Sequence, residues 1–216
     1  MHARRLTEHS KKGIGGMRRI DAGTSRPIRI VAALAAAVGG LFALSGCVLV
    51  GDSVSSFMTA DLHKVVPVVD ADFGRSINLH GWQTQESGIQ AIRRWEGVKP
   101  PWIIIQLGAN DVNATADQGV WRTSIRSALA PIPRDQCVAW VLVYDTRQPT
   151  RSAQFDAIVA QELASTHPKH VLVDWPSQVK RGGMLLDDVH LTPRGRATMT
   201  QLVAQAVSTF HRLGCG

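Results

Sequence analysis

The chain has 216 residues, one domain's worth, and at 44% hydrophobic and 19% charged it has the apolar content for a full core, which excludes global disorder. Its 19 Gly and 10 Pro are too few for a collagen-like or low-complexity chain. The formal charge of +7 has the look of a nucleic-acid binder, but position excludes that reading: residues 1–29 hold eight of the 24 Lys/Arg and two of the 17 Asp/Glu. The rest of the chain is nearly neutral and has no electrostatic footprint for a phosphate backbone.

The basic head runs into Ile30–Leu44, fifteen residues without a charge. A positive n-region, an apolar stretch of this length and the small residues Ser45 and Gly46 describe an export signal. A full transmembrane helix needs about 20 apolar residues, yet Cys47-Val48-Leu49-Val50 prolong the run, so a permanent span stays open beside cleavage. Leu44-Ser45-Gly46-Cys47 resembles the bacterial lipobox, whose cysteine is lipidated, while Ala43 and Ser45 suit the −3 and −1 sites of an ordinary signal peptidase. Residues 1–46 are therefore expected to be an export signal or membrane anchor, and residues 30–47 are the segment through which a membrane would be held. Residues 47–216 form the body.

Along the body, short apolar runs rich in Val, Ile or Trp predict strands at Cys47–Val50, Val65–Val69, Trp102–Leu107, Cys137–Tyr144 and Val171–Trp175. Between them the spacing is helical. Ile89, Ile92 and Trp95 recur at three-residue steps, Trp121, Ile125 and Leu129 at four, and Phe155, Ile158, Val159 and Leu163 mark one face. A last helix follows Thr192-Pro193, a cap with Pro at the first turn, runs through Leu202, Val203, Ala206 and Phe210, and is closed by Gly214. Five strands alternating with helices predict an α/β fold: a parallel sheet with right-handed crossovers, three layers thick. In that fold Cys47 and Cys137 begin strands and Cys215 ends the last helix, all on the face remote from the ligand-binding edge. Either Cys137–Cys215 or Cys47–Cys215 is then an admissible structural bridge. No zinc spacing such as Cys-x-x-Cys is present.

Ligands of such sheets bind beyond the carboxyl ends of the strands. There the chain places Gly51-Asp52-Ser53, Gly74, Gly108-Ala109-Asn110-Asp111 and Asp187-Asp188-Val189-His190. The chemistry open to these groups is acyl transfer. A serine hydroxyl becomes a nucleophile when a histidine takes its proton and an acid holds that histidine's tautomer. Ser53 is the candidate nucleophile, His190 the base and Asp187 the orienting acid, with Asp188 the alternative. The Ser53 and Gly74 amides and the Asn110 side chain are the candidate oxyanion donors. Asp52 is expected to cap the helix after it, and Asp111 to position rather than to transfer protons.

These blocks resemble the SGNH (GDSL-type) hydrolase superfamily. Gly51-Asp52-Ser53-Val54, Gly74 within Asp72-Phe73-Gly74-Arg75, Gly108-Ala109-Asn110-Asp111 and Asp187-x-x-His190-Leu191 stand in the order of that family's motifs. The resemblance covers about residues 47–213. It implies a flavodoxin-like three-layer α/β/α sandwich with a five-stranded parallel sheet. It also implies a Ser-His-Asp esterase or acyltransferase with no metal or organic cofactor. A narrower likeness rests on Val68-Val69-Asp70-Ala71, Val173-Asp174-Trp175 and His190-Leu191-Thr192-Pro193-x-Gly195. It is to the extracellular SGNH domains of cell-envelope O-acetyltransferases, which implies an acylated small molecule or cell-envelope glycan as partner. Transfer from a membrane-delivered donor would then need a separate membrane protein. A non-catalytic envelope binding protein is the contrasting function class, and nothing in it would require Ser53, Asn110 and His190 together.

Other residues draw plainer expectations. Asn113-Ala-Thr115 is a formal glycosylation sequon without meaning beside a bacterial-type signal, and Gly13-x-Gly15-Gly16 follows no strand and is no nucleotide loop. His167 and His170, flanking Pro168 at a helix end, are expected to be solvated rather than metal ligands. Most of the six tryptophans belong in the core. Trp82, in a polar stretch after Gly74, is the candidate for stacking on a sugar.

Overall fold

The structure, a computed structural model, describes residues 47–215. Residues 1–46, the expected export signal or membrane anchor, lie outside the described residues. Five parallel strands, β1 (Val48–Gly51), β2 (Val68–Ala71), β3 (Trp102–Gln106), β4 (Cys137–Val141) and β5 (His170–Val173), form one sheet in the order β2-β1-β3-β4-β5. β1, β3 and β4 are buried along their whole length, the state their unbroken Val-, Ile- and Trp-rich runs dictate.

Helices cover both faces. They are α1 (Ser53–Ser56), α2 (Thr59–Leu62), α3 (Gly88–Arg94), α4 (Ala109–Ala114), α5 (Gln118–Leu129), α6 (Pro149–Thr166), α7 (Trp175–Val179) and α8 (Pro193–Arg212). On one face Val50, Ile103, Ile105 and Trp140 pack with Trp121 of α5 and Phe155 of α6. On the other, Leu49, Ile104 and Ala139 pack with Met58 and with Val203 and Phe210 of α8. Alternation of side chains along each strand thus divides one chain into two cores, and the architecture is the three-layer flavodoxin-like sandwich. The last helix is capped as its sequence predicts: the Thr192 hydroxyl accepts from Gly195 N–H at 3.0 Å, and Gly214 beyond its end has φ +70°.

β1, β3 and the start of β5 shift by one residue from expectation, while β2, the ends of β4 and β5, and one histidine differ by more. Val65 and Val66 are not strand. Their amides bond to the Leu62 carbonyl and prolong the end of α2, so β2 takes Asp70 and Ala71 instead. β4 stops at Val141 rather than Tyr144. β5 stops at Val173 because Asp174 caps α7 through Ser177 N–H, and Pro176 sets that helix's first turn. His167 is not solvated. It is 2% exposed, its Nε2 bonds to the Ile132 carbonyl at 3.2 Å, and burial lowers its pKa. His170 lies on β5, with Nδ1 on the His167 carbonyl.

Of the two admissible bridges the structure forms Cys137–Cys215, joining the start of β4 to the residues after α8, and Cys47 is free. Among the described residues, no helix is long and apolar enough to cross a membrane.

Candidate active site

Register brings the ends of three strands together. Gly51 stands opposite Ala71 on one side and Gln106 on the other, so the segments that leave β1, β2 and β3 begin side by side. Ser53 opens α1 directly after β1. Asp52 is its N-cap: one carboxylate oxygen accepts from Val54 N–H at 2.9 Å, and burial pushes the fully enclosed acid up to about 7. The expected cap is present, and it holds the turn on which Ser53 sits.

Ser53 Oγ lies 3.2 Å from His190 Nε2, and His190 Nδ1 lies 2.8 Å from Asp187 Oδ2. With Nδ1 facing a carboxylate, its proton belongs there and Nε2 is left to accept from the serine. Asp187 Oδ1 accepts from the Val189 and His190 amides, each at 2.8 Å. Burial alone would raise the Asp187 pKa, but these amides and the His190 ring outweigh it and pull the acid down to about 2. Asp188 faces elsewhere. Its carboxylate pairs with Arg147 at 3.0 Å and with the Thr146 hydroxyl.

Gly74 has φ +72°, and a Cβ there would stand 2.6 Å from Trp82 Nε1, so only glycine fits this turn with the indole edge against it. Asn110, in the first turn of α4, donates through Nδ2 to the Arg75 carbonyl at 2.8 Å, which sets its amide beside the Gly74 turn with one N–H to spare. Asp111 receives Ile77 N–H on both oxygens, at 3.1 and 3.2 Å, and burial pushes it up to about 6. It ties α4 to the segment after Gly74, as a positioning residue would.

The structure adds residues that sequence did not single out. Arg75 is fully buried and donates to the carbonyls of Gly51 and Asp70, the Asp70 carboxylate and the Thr84 hydroxyl. Asp72, also buried, accepts from the amides of Gln83 and Thr84 and from the Thr84 hydroxyl. Phe57 is 55% exposed and meets the His190 ring edge-on, with centroids 5.1 Å apart. Its position one turn after Ser53 was the one available signal, and a core phenylalanine would give the same. Trp82 is 76% exposed, the most open of the large apolar side chains among the described residues.

No protein-family model and no curated protein matches the chain by sequence. Solved structures do. The C-terminal catalytic domain of Streptococcus pneumoniae peptidoglycan O-acetyltransferase A is 18% identical, with a TM-score of 0.56 over 76% of this chain and 91% of that one. A member of the lipolytic protein G-D-S-L family from Veillonella parvula is 16% identical, with a TM-score of 0.55 over 77% of this chain and 98% of the other. The psychrotrophic esterase EstA from Pseudoalteromonas sp. is 14% identical, with a TM-score of 0.53 at the same coverages. The chain shares the fold of these solved structures.

Proposed function

We propose that this chain is an exported serine esterase of the cell envelope, hydrolysing acyl esters, acetyl esters foremost, through a covalent acyl-enzyme. The observation that carries the reading is the unbroken contact from Ser53 through His190 to Asp187 at the carboxyl edge of the sheet. Ser53 Oγ attacks the ester carbonyl while its proton passes to His190 Nε2. Asp187 stabilises the imidazolium, and the negative oxygen is met by the amides of Ser53 and Gly74 and the spare N–H of Asn110. Collapse of this intermediate sends the proton from His190 to the departing alcohol. Water then gives a proton to His190 and attacks the acyl group, and Ser53 is regenerated with release of the acid. Protein groups supply every role, and the reaction draws on no metal or organic cofactor.

A second reading, O-acetyl transfer to an envelope glycan, is favoured by one feature. Trp82 and Phe57 present exposed rings beside Gly74 and His190, the surface on which a sugar ring stacks. The two readings share every step to the acyl-enzyme and differ in whether water or a glycan hydroxyl accepts the acyl group.

The test is p-nitrophenyl acetate turnover by the purified protein, with and without an N-acetylglucosamine oligomer, following nitrophenol release and the mass of the sugar. Release that disappears in Ser53→Ala with the sugar unchanged supports the esterase. Ser53-dependent acetylation of the sugar, weakened in Trp82→Ala, supports the transferase. Turnover that survives Ser53→Ala overturns both.

A further inference from the structure

The edge of the sheet opposite Ser53 has its own character. The segments that enter β2, β3, β4 and β5, together with the end of α8, carry Lys64, Lys99, Arg134, Lys169 and Arg212, against Asp61, Glu96 and Asp135. Of the four lysines in residues 47–216, three stand here, and only Lys180, after α7, stands at the other end. Lys64 pairs with Asp61 of its own turn and stays exposed. Val98 and Leu213, 46% and 42% exposed, stand on the same edge. At the candidate site's edge the charges are mixed, with Asp145 and Asp188 both paired to Arg147.

Cys47 is at the basic edge, where its carbonyl accepts from Val68 N–H at 3.3 Å. In sequence, the apolar run of residues 30–44 precedes Cys47 with only Ser45 and Gly46 between. Basic side chains interspersed with exposed apolar ones, at the edge that holds the residue following such a run, fit a surface of anionic phospholipid headgroups.

We propose that this basic edge rests on an anionic membrane surface. β1 then stands away from the bilayer, and Ser53, about 20 Å along the chain direction at 3.3 Å per residue, opens on the side away from the lipid. Substrate arrives from the wall side.

The test uses the full chain mixed with vesicles of phosphatidylcholine alone, or with one part in three phosphatidylglycerol, and a brief pulse of a water-soluble amine-acylating reagent read by peptide mass. Labelling of Lys64, Lys99 and Lys169 is expected to fall about threefold with the anionic vesicles, to recover in high salt, and to stay constant at Lys180. The double variant Lys99→Glu, Lys169→Glu is expected to lose the protection at Lys64 and to keep its turnover of soluble ester. Equal labelling in the two vesicles overturns the proposal, as does protection of Lys64 that survives the double reversal. Neither labelling readout depends on the esterase reading, on which only the turnover control rests.

Discussion

Asp187 uses its two oxygens for different purposes. Oδ2 faces the His190 ring, and Oδ1 gathers two backbone amides, which keeps the acid ionised and the ring in one tautomer. Asp187→Asn keeps the size and loses this preference, so kcat is expected to fall by about 10³–10⁴-fold, the scale on which wrong-tautomer variants of such triads act. Asp188→Asn disturbs only the contacts with Thr146 and Arg147, and kcat is expected to stay within about threefold, since exposed ion pairs contribute little. Steady-state kinetics on the pair separates Asp187, the acid the spacing names, from its neighbour Asp188. Asn110→Ala removes one oxyanion donor, and a loss of about 10²–10³ in kcat with little change in KM is expected.

At the scale of elements, the segment between β2 and α3 holds Gly74 in place although it contains no helix or strand. Its order comes from buried polar groups: Asp72 closes the segment on Gln83 and Thr84, and Arg75 ties it back to the ends of β1 and β2. Burial would raise the Asp72 pKa, but the Thr84 and Gln83 hydrogen bonds overcome it and hold the acid below its ordinary range. Asp72→Ala leaves three donors without their acceptor, a loss of about 1–3 kcal/mol. A lowered Tm and a lowered kcat are expected together, because Gly74 moves with the segment. Thr84→Ala, which removes one donor, is expected to do less of both. Periodicity reads none of this, since polar residues in an irregular segment carry no repeat. The shift of β2 has a related origin. The Val65-Val66 pair has the residue types of a strand, but the chain bonds it to the end of α2, and the charged Asp70 enters the sheet because Arg75 and Arg94 receive it.

For the whole molecule the buried acids set the response to pH. Burial pushes Asp52 and Asp156 up to about 7 and Asp111 to about 6, against an ordinary 3.8. Between pH 4 and 7 the folded chain therefore binds more protons at these sites than the unfolded chain, and their contribution to stability declines as pH rises. Asp187 runs the other way, its contribution declining as pH falls from about 4 towards 2. Thermal unfolding is expected at higher Tm near pH 5 than near pH 8. Asp156→Asn is the check, because it keeps an acceptor for Val143 N–H while removing the charge. It is expected to raise Tm at pH 8, by about 2–4 °C for each kcal/mol recovered, and to change little at pH 5.

The alternation of apolar runs with helical spacing, the caps at Thr192 and Asp52, and four polar blocks after strands were legible in the chain, because each depends on neighbours a few residues apart. From them the α/β sheet and the membership of Ser53, Gly74, Asn110, Asp187 and His190 in one edge could be read in advance. What tertiary structure alone decided is everything that depends on which distant groups share a burial. Cys137 rather than Cys47 meets Cys215, and His167 is enclosed beside Ile132. Phe57 comes against the His190 ring and Trp82 against Gly74, and five cations from separate segments collect on the opposite edge. The physical reason is that a parallel sheet brings together segments tens of residues apart, and no local pattern of the chain records their meeting.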